Sequence, residues 1–189
     1  AHQLVDVGVF RTADRFFVGG AHFLDIVGRA AVFHFGSNGL MDAPGRAATA
    51  RAVHVARKAG VRVTFDPNLR AHLWPKAREM IDAVMEFAAE ADVVKVSADE
   101  LAMLPGLATR APVVVVTLGR EGAVVMSSAG DVFRAARAIR AVDTTGAGDA
   151  FMAGFLACYV DVPDVFSSAL AAGNRAARRC CARLGATSW

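Results

Sequence analysis

The sequence predicts an α/β protein of three layers, a mostly parallel sheet with helices on both faces. Short β-branched runs alternate with longer Ala-rich amphipathic stretches, the pattern of repeated strand–helix–strand units. The two stretches between strands that read as helices carry Pro44 and Pro75 near their first turns, where a missing N–H costs nothing. From residue 123 the rhythm changes to two short strands about a Ser-Ser-Ala-Gly turn, a hairpin signature.

In chain order, buried strands are expected at 32–35, 61–65, 93–96 and 113–116, because each is a short run rich in β-branched or aromatic residues. Helices are expected at 44–59 and 75–89, and the hairpin strands at 123–126 and 131–134 give an antiparallel edge near the C-terminus. Two further helices close the chain, one opening at Gly146 and running to about residue 160, the other from Pro163 to about Leu184, with Gly185 as its stop. Residues 4–10 alternate like an edge or lid-like strand with nothing before them to pair with. No repeat or linker interrupts the chain, so residues 1–189 read as a single domain.

Of the 189 residues 54% are hydrophobic and 21% charged, which excludes a disordered or collagenous chain. Cys158, Cys180 and Cys181 are too few and too badly spaced for a disulfide framework or a zinc knuckle; buried thiols in a reducing compartment are expected. No apolar run reaches the roughly 20 residues of a membrane span, and Asp6, Arg11 and Asp14 break up the N-terminus. A cytoplasmic protein is expected. The net charge of +3 is mild. Arg175, Arg178, Arg179 and Arg183 cluster at helical spacing, but no aromatic residues interleave with them, so a solvated helix face is preferred to a nucleic-acid contact. Five histidines form no metal-ligand spacing, and His34, inside an apolar run, reads as a hydrogen-bonded core residue.

The segment DTTGAGDAF at 143–151 carries the chemistry. Glycines at 146 and 148 leave the amides of a helix start uncrowded, and such a start concentrates unpaired N–H groups and partial positive charge. An acid at position 149 makes sense as a base for a hydroxyl that attacks a bound phosphate. The same spacing suits an ordinary capped helix, with Thr144 or Thr145 as N-cap and Asp149 near the dipole. No P-loop and no complete dinucleotide fingerprint is present.

DTTGAGDAFMAGF resembles the C-terminal signature of the ribokinase-like, or PfkB, carbohydrate kinases. Three other segments agree in order: FDPNLR at 65–70 followed by Leu73-Trp74, similar to the fructokinase and 2-keto-3-deoxygluconate kinase branch; VKVSADEL at 94–101, similar to the NxxE segment with Ser97 in place of Asn; and VTLGREGA at 116–123, similar to the strand and turn lining the nucleotide site. The resemblance implies a ribokinase-like fold and ATP-dependent phosphorylation of a sugar or sugar-acid hydroxyl, of fructose or 2-keto-3-deoxygluconate type. It implies Asp149 as base, with the amides of Gly146, Ala147 and Gly148 as an anion hole. It further implies Asn68, Arg70, Thr117, Gly119, Gly122 and Asn174 as nucleotide neighbours, Glu100 as a Mg²⁺ residue acting through water, and Arg11 as a substrate contact. The expected partners are ATP, Mg²⁺ and a sugar, without nucleic acid or membrane; a homodimer, common in the family, remains a possible assembly.

The family's N-terminal strands, its Gly-Gly…Asn sugar motif and much of its lid have no counterpart ahead of the matched region, so an incomplete or absent lid is expected. Lid closure orders the attacking hydroxyl. A nucleotide-binding pseudokinase or regulatory domain with little transferase activity is therefore the alternative expectation.

Overall fold

The computed structural model describes residues 21–160 and 166–185. Its secondary structure is α1 (Ala21–Arg29), β1 (Val32–Gly36), α2 (Ala43–Lys58), β2 (Arg62–Asp66), α3 (Ala77–Ala88), β3 (Val93–Ser97), α4 (Ala98–Met103), β4 (Val113–Thr117), β5 (Gly122–Ser127), β6 (Val132–Ala135), α5 (Ala147–Tyr159) and α6 (Phe166–Cys181). The six strands follow one another in the sheet in sequence order. Every expected strand and helix that falls on described residues is present, within one to three residues at each end. Two helices went unpredicted, α1 and α4, both under ten residues and so too short to show a sustained period. The expected strand at 4–10 lies outside the described residues. The chain groups into two compact units, Ala1–Val114 and Val115–Trp189, with the division inside β4.

In the first unit β1, β2 and β3 pair in parallel, with Phe35 beside Phe65 and Phe65 beside Val94. Phe35 stacks on Phe65 at 4.6 Å and meets the edge of Phe87 from α3 at 5.9 Å, so the strands bury their large side chains against a helix. Asp42 caps α2 by accepting the Gly45 N–H at 2.7 Å, just ahead of Pro44 in the first turn. His34 is the hydrogen-bonded residue its sequence context suggests: its Nδ1 is 2.9 Å from the Thr64 hydroxyl.

In the second unit β5 and β6 form the expected antiparallel hairpin, Gly122 opposite Ala135 through Val125 opposite Val132. Helices α5 and α6 approach through glycines. A Cβ at Gly154 would lie 2.7 Å from the Ala172 carbonyl oxygen, and one at Gly173 2.8 Å from the Phe151 ring. Phe155 stacks on Tyr159, and Tyr159 on Phe166, to complete the apolar seam. Of the three free thiols only Cys180 is buried; Cys158 and Cys181 are half-exposed, which narrows the expectation of buried cysteines to one. Among the described residues no helix is long and apolar enough to cross a membrane.

Candidate functional site

The carboxyl ends of β1, β2 and β3 gather the polar residues of the first unit, as open α/β sheets do where they bind ligands. Asn68 follows β2 and is the one non-glycine described residue with positive φ, 44°, a left-handed conformation that Asn tolerates better than most side chains. It is gripped from both sides. The Pro67 carbonyl accepts both the Ser37 hydroxyl, at 2.5 Å, and the Ser37 N–H, at 3.3 Å, while the Leu69 N–H donates to Glu100 Oε1 at 2.5 Å. Glu100 closes a capping box at the start of α4: its Oε2 accepts the Ser97 N–H at 2.7 Å, and Ser97 Oγ accepts the Glu100 N–H at 3.2 Å. Asn68 and Arg70 are exposed beside this anchored turn.

Beneath it Lys95 Nζ donates to Asp66 Oδ2 at 2.9 Å, with the two side chains 8% and 6% exposed. Burial pushes the Asp66 carboxyl above its ordinary value, and the Lys95 charge pulls in the opposite direction. Asp66 Oδ1 is buried without a partner among the described residues. Lys95 and Ser37 are not among the residues that the motifs single out; the available signal is the lone lysine inside VVKVS, since an unpaired charge is not left in a buried strand.

In the second unit the loop ahead of α5 is pinned to the end of α6. Val142 N–H donates to the Cys181 carbonyl at 2.8 Å, Cys180 Sγ donates to the Thr145 carbonyl at 3.3 Å, and Asp143 accepts the N–H groups of Thr145 and Gly185 at 2.8 and 3.0 Å. These bonds hold the Asp143 carboxyl below its ordinary value, the Thr145 amide contributing most. The N-cap of α5 is Gly146, at φ 77°, and no side chain caps it. The alternative of Thr144 or Thr145 as N-cap is thus not what forms, because the left-handed turn at Gly146 places a glycine at the cap. One amide of the expected anion hole is already used, Ala147 N–H bonding the Thr144 carbonyl at 3.1 Å. Among the described residues the N–H groups of Gly146, Gly148 and Asp149 have no partner. Asp149 is exposed at the third position of the helix and, unlike Glu100 at the same position of α4, does not fold back onto its N-cap amide.

Thr117 ends β4, and residues 119–121 form a short 3-10 turn between β4 and β5. Gly119 has φ 57° with open space where a Cβ would stand. Gly122, at φ 125°, is crowded by the β6 backbone, a Cβ there lying 2.1 Å from the Arg134 carbonyl oxygen. Asn174 on α6 donates from Nδ2 to the Arg134 carbonyl at 3.0 Å and lines a cleft of about 390 Å³. Arg11 lies outside the described residues.

A family model described as pfkB family carbohydrate kinase matches residues 10–189. The chain belongs to the pfkB family of carbohydrate kinases. Its sequence is 38% identical to fructokinase-1 of Oryza sativa subsp. japonica over 152 residues, 74% of this chain and 47% of that one. The aminoimidazole riboside kinase of Salmonella typhimurium is 37% identical over 135 residues, 66% of this chain and 42% of that one. The chain spans about half the length of the curated relatives it matches. Among solved structures, the Salmonella enterica aminoimidazole riboside kinase complexed with aminoimidazole riboside and an ATP analog superposes with TM-score 0.77 at 32% identity, covering 82% of this chain and 57% of that one. The Vibrio cholerae fructokinase in its fructose, ADP and calcium ion bound form gives 0.76 at 33% identity, covering 82% and 56%. The fold of this pfkB chain is therefore the ribokinase-like α/β fold, a mostly parallel sheet with helices.

Proposed function

We propose that this chain takes part in ATP-dependent phosphorylation of a sugar hydroxyl, with fructose or a 2-keto-3-deoxy sugar acid as the substrate class. The observation that carries the reading is the start of α5: an uncapped helix N-terminus, open amides at Gly146, Gly148 and Asp149, and an acid at the third position with no partner among the described residues. Amides so placed stabilise charge on a phosphoryl group in transit, and an unbonded carboxylate beside them takes the proton of an attacking alcohol. Ala147 contributes by shaping the turn, its own N–H being spent on Thr144. Thr117, Gly119, Gly122 and Asn174 are assigned to the nucleotide, and Asn68 and Arg70 to its phosphates. Arg11 is assigned to the sugar.

Among the described residues no three His, Cys, Asp or Glu side chains gather into a metal-ligand set, and both Glu100 oxygens already accept amides. Each oxygen retains a second lone pair, so Glu100 fits a hydrated Mg²⁺ held through water, the mode that this reluctantly dehydrated ion favours. Bound there, the ion would neutralise phosphate charge.

The test is Asp149→Asn in a coupled ADP assay over a sugar panel. Transfer is expected to fall about 10²–10⁴-fold, the usual share of a general base, with the ATP KM little changed; equal turnover in variant and parent overturns the assignment. Nucleotide binding by the parent without ADP release from any sugar would favour a nucleotide-binding domain of little transferase activity.

A further inference from the structure

We propose that Cys180 is a positioning residue for the start of α5, its thiol selecting the turn geometry that opens the Gly146 amide. This role rests on the kinase reading, which gives that amide its purpose. Ala147 N–H donates to the Thr144 carbonyl at 3.1 Å, closing a four-residue turn over Thr144, Thr145, Gly146 and Ala147. Gly146, the third residue, has φ 77° and ψ 3°. Asn68 is the one non-glycine described residue with positive φ, so φ at Thr145 is negative. Together these make a type II turn, because type I needs negative φ at the third residue and type I′ positive φ at the second.

Types I and II share the same closing bond and differ in the plane of the central peptide, which is turned over between them. Glycine at the third position adopts either, so the choice falls to whatever holds the Thr145 carbonyl. Cys180 Sγ donates to that carbonyl at 3.3 Å from the last turn of α6, with Cys180 only 1% exposed. The bonds from Thr145 N–H to Asp143 and from Ala147 N–H to Thr144 hold the peptides on either side. Among the described residues no other bond reaches the peptide between Thr145 and Gly146.

A trans peptide points its C=O and N–H in opposite directions. With the carbonyl held toward α6, the Gly146 N–H faces away from it and stays open. Turned over, the same peptide would put its carbonyl oxygen where the N–H stood and set a partial negative charge against an arriving phosphate. A thiol is a weak donor, but with glycine in the third position the two turns lie close in energy, and a weak bond decides between them.

Cys180→Ala, Cys180→Val and Cys180→Ser test it against the parent. The nuclear Overhauser effect between Thr145 Hα and the Gly146 N–H, in isotope-labelled protein, reads the turn directly: strong in type II, where the two protons lie close, and weak in type I. It is expected to be strong in the parent and in Cys180→Ser, whose hydroxyl also donates, and weak in the other two. Valine fills the place of the thiol with carbon, which keeps the test open if alanine loosens the packing. In a coupled ADP assay Cys180→Ala and Cys180→Val should lower kcat about tenfold to a hundredfold, at or below the loss of a whole donor from an anion hole. The ATP KM should change less than about twofold, with Cys180→Ser near the parent. A merely structural role would lower the unfolding midpoint without separating kcat from KM. A weak effect in the parent, a strong one in Cys180→Ala and Cys180→Val, or a flipped turn with unchanged kcat would overturn the proposal. Asp149→Asn is expected to keep the strong effect; if it also keeps full turnover, the kinase reading falls while the turn assignment stands.

Discussion

Glu100 Oε1 accepts the Leu69 N–H at 2.5 Å while its Oε2 accepts the Ser97 N–H at 2.7 Å, so one carboxylate both starts α4 and fixes the turn that presents Asn68. The bond joins residues 31 positions apart and locks the left-handed Asn68 from its C-terminal side, opposite Ser37. Glu100→Ala removes a capping-box partner and a charge-assisted bond together, and is expected to cost roughly 1–3 kcal/mol, read from urea unfolding. If Asn68 and Arg70 serve ATP phosphates, the same variant raises the ATP KM as well. Stability equal to the parent's would mean that the turn holds itself.

The Lys95–Asp66 pair is buried on adjacent strands, one step beyond the Phe65–Val94 register pair. Removing one partner strands the other charge, so Lys95→Met is expected to cost roughly 3–5 kcal/mol, whereas Lys95→Met/Asp66→Leu recovers much of that loss. The Asp66 carboxyl already lies above its ordinary value of 3.8 in the folded protein. Its ionisation therefore works against folding as the pH rises past 3.8 toward the folded value. Without Lys95 that window widens, and the single variant should lose stability over a longer span of pH than the parent. Denaturant midpoints from pH 4 to pH 8 measure this; parallel curves would show that the pair is uncoupled.

The strands and long helices are legible because their signals are local: short runs rich in Val and Phe for β1 to β4, prolines at helix starts, a Ser-Ser-Ala-Gly turn for the hairpin. The same holds for the start of α5, where two glycines and an acid announce exposed amides. What the sequence did not disclose depends on neighbours. Nothing near Lys95 in the chain says that Asp66 faces it, nothing near Glu100 says that Leu69 N–H arrives, and nothing near Asn174 says that it ties α6 to the Arg134 carbonyl. The use of the Ala147 amide by Thr144 follows from the left-handed turn at Gly146, a backbone choice that spacing alone does not reveal.

Helices α5 and α6 meet where Gly173 stands against Phe151, with 2.8 Å from a would-be Cβ to the ring. The neighbour is a stiff aromatic ring inside a stacked seam, so it has little room to give. Gly173→Ala is expected to destabilise by roughly 1–3 kcal/mol through overpacking, despite the better helix propensity of alanine. Gly173→Ala/Phe151→Leu should recover part of the loss in thermal melts. A single variant as stable as the parent would show that the helices slide apart at no cost.

Asp143 binds the two ends of the loop that leads into α5, accepting from Thr145 on one side and Gly185 on the other. Because these bonds hold its carboxyl below 3.8, the folded state binds a proton less readily there than the unfolded chain does. The stabilisation is therefore complete above about pH 3.8 and is lost as the pH falls through the lower folded value. Asp143→Ala should lower the denaturant midpoint by a constant amount from pH 7 down to pH 5, and the gap to the parent should close below pH 3.8. Since the loop also sets the Gly146 turn, the variant is expected to weaken binding of an ATP analogue as well. A gap that persists undiminished to pH 3 would assign the stabilisation to something other than the ionised carboxylate.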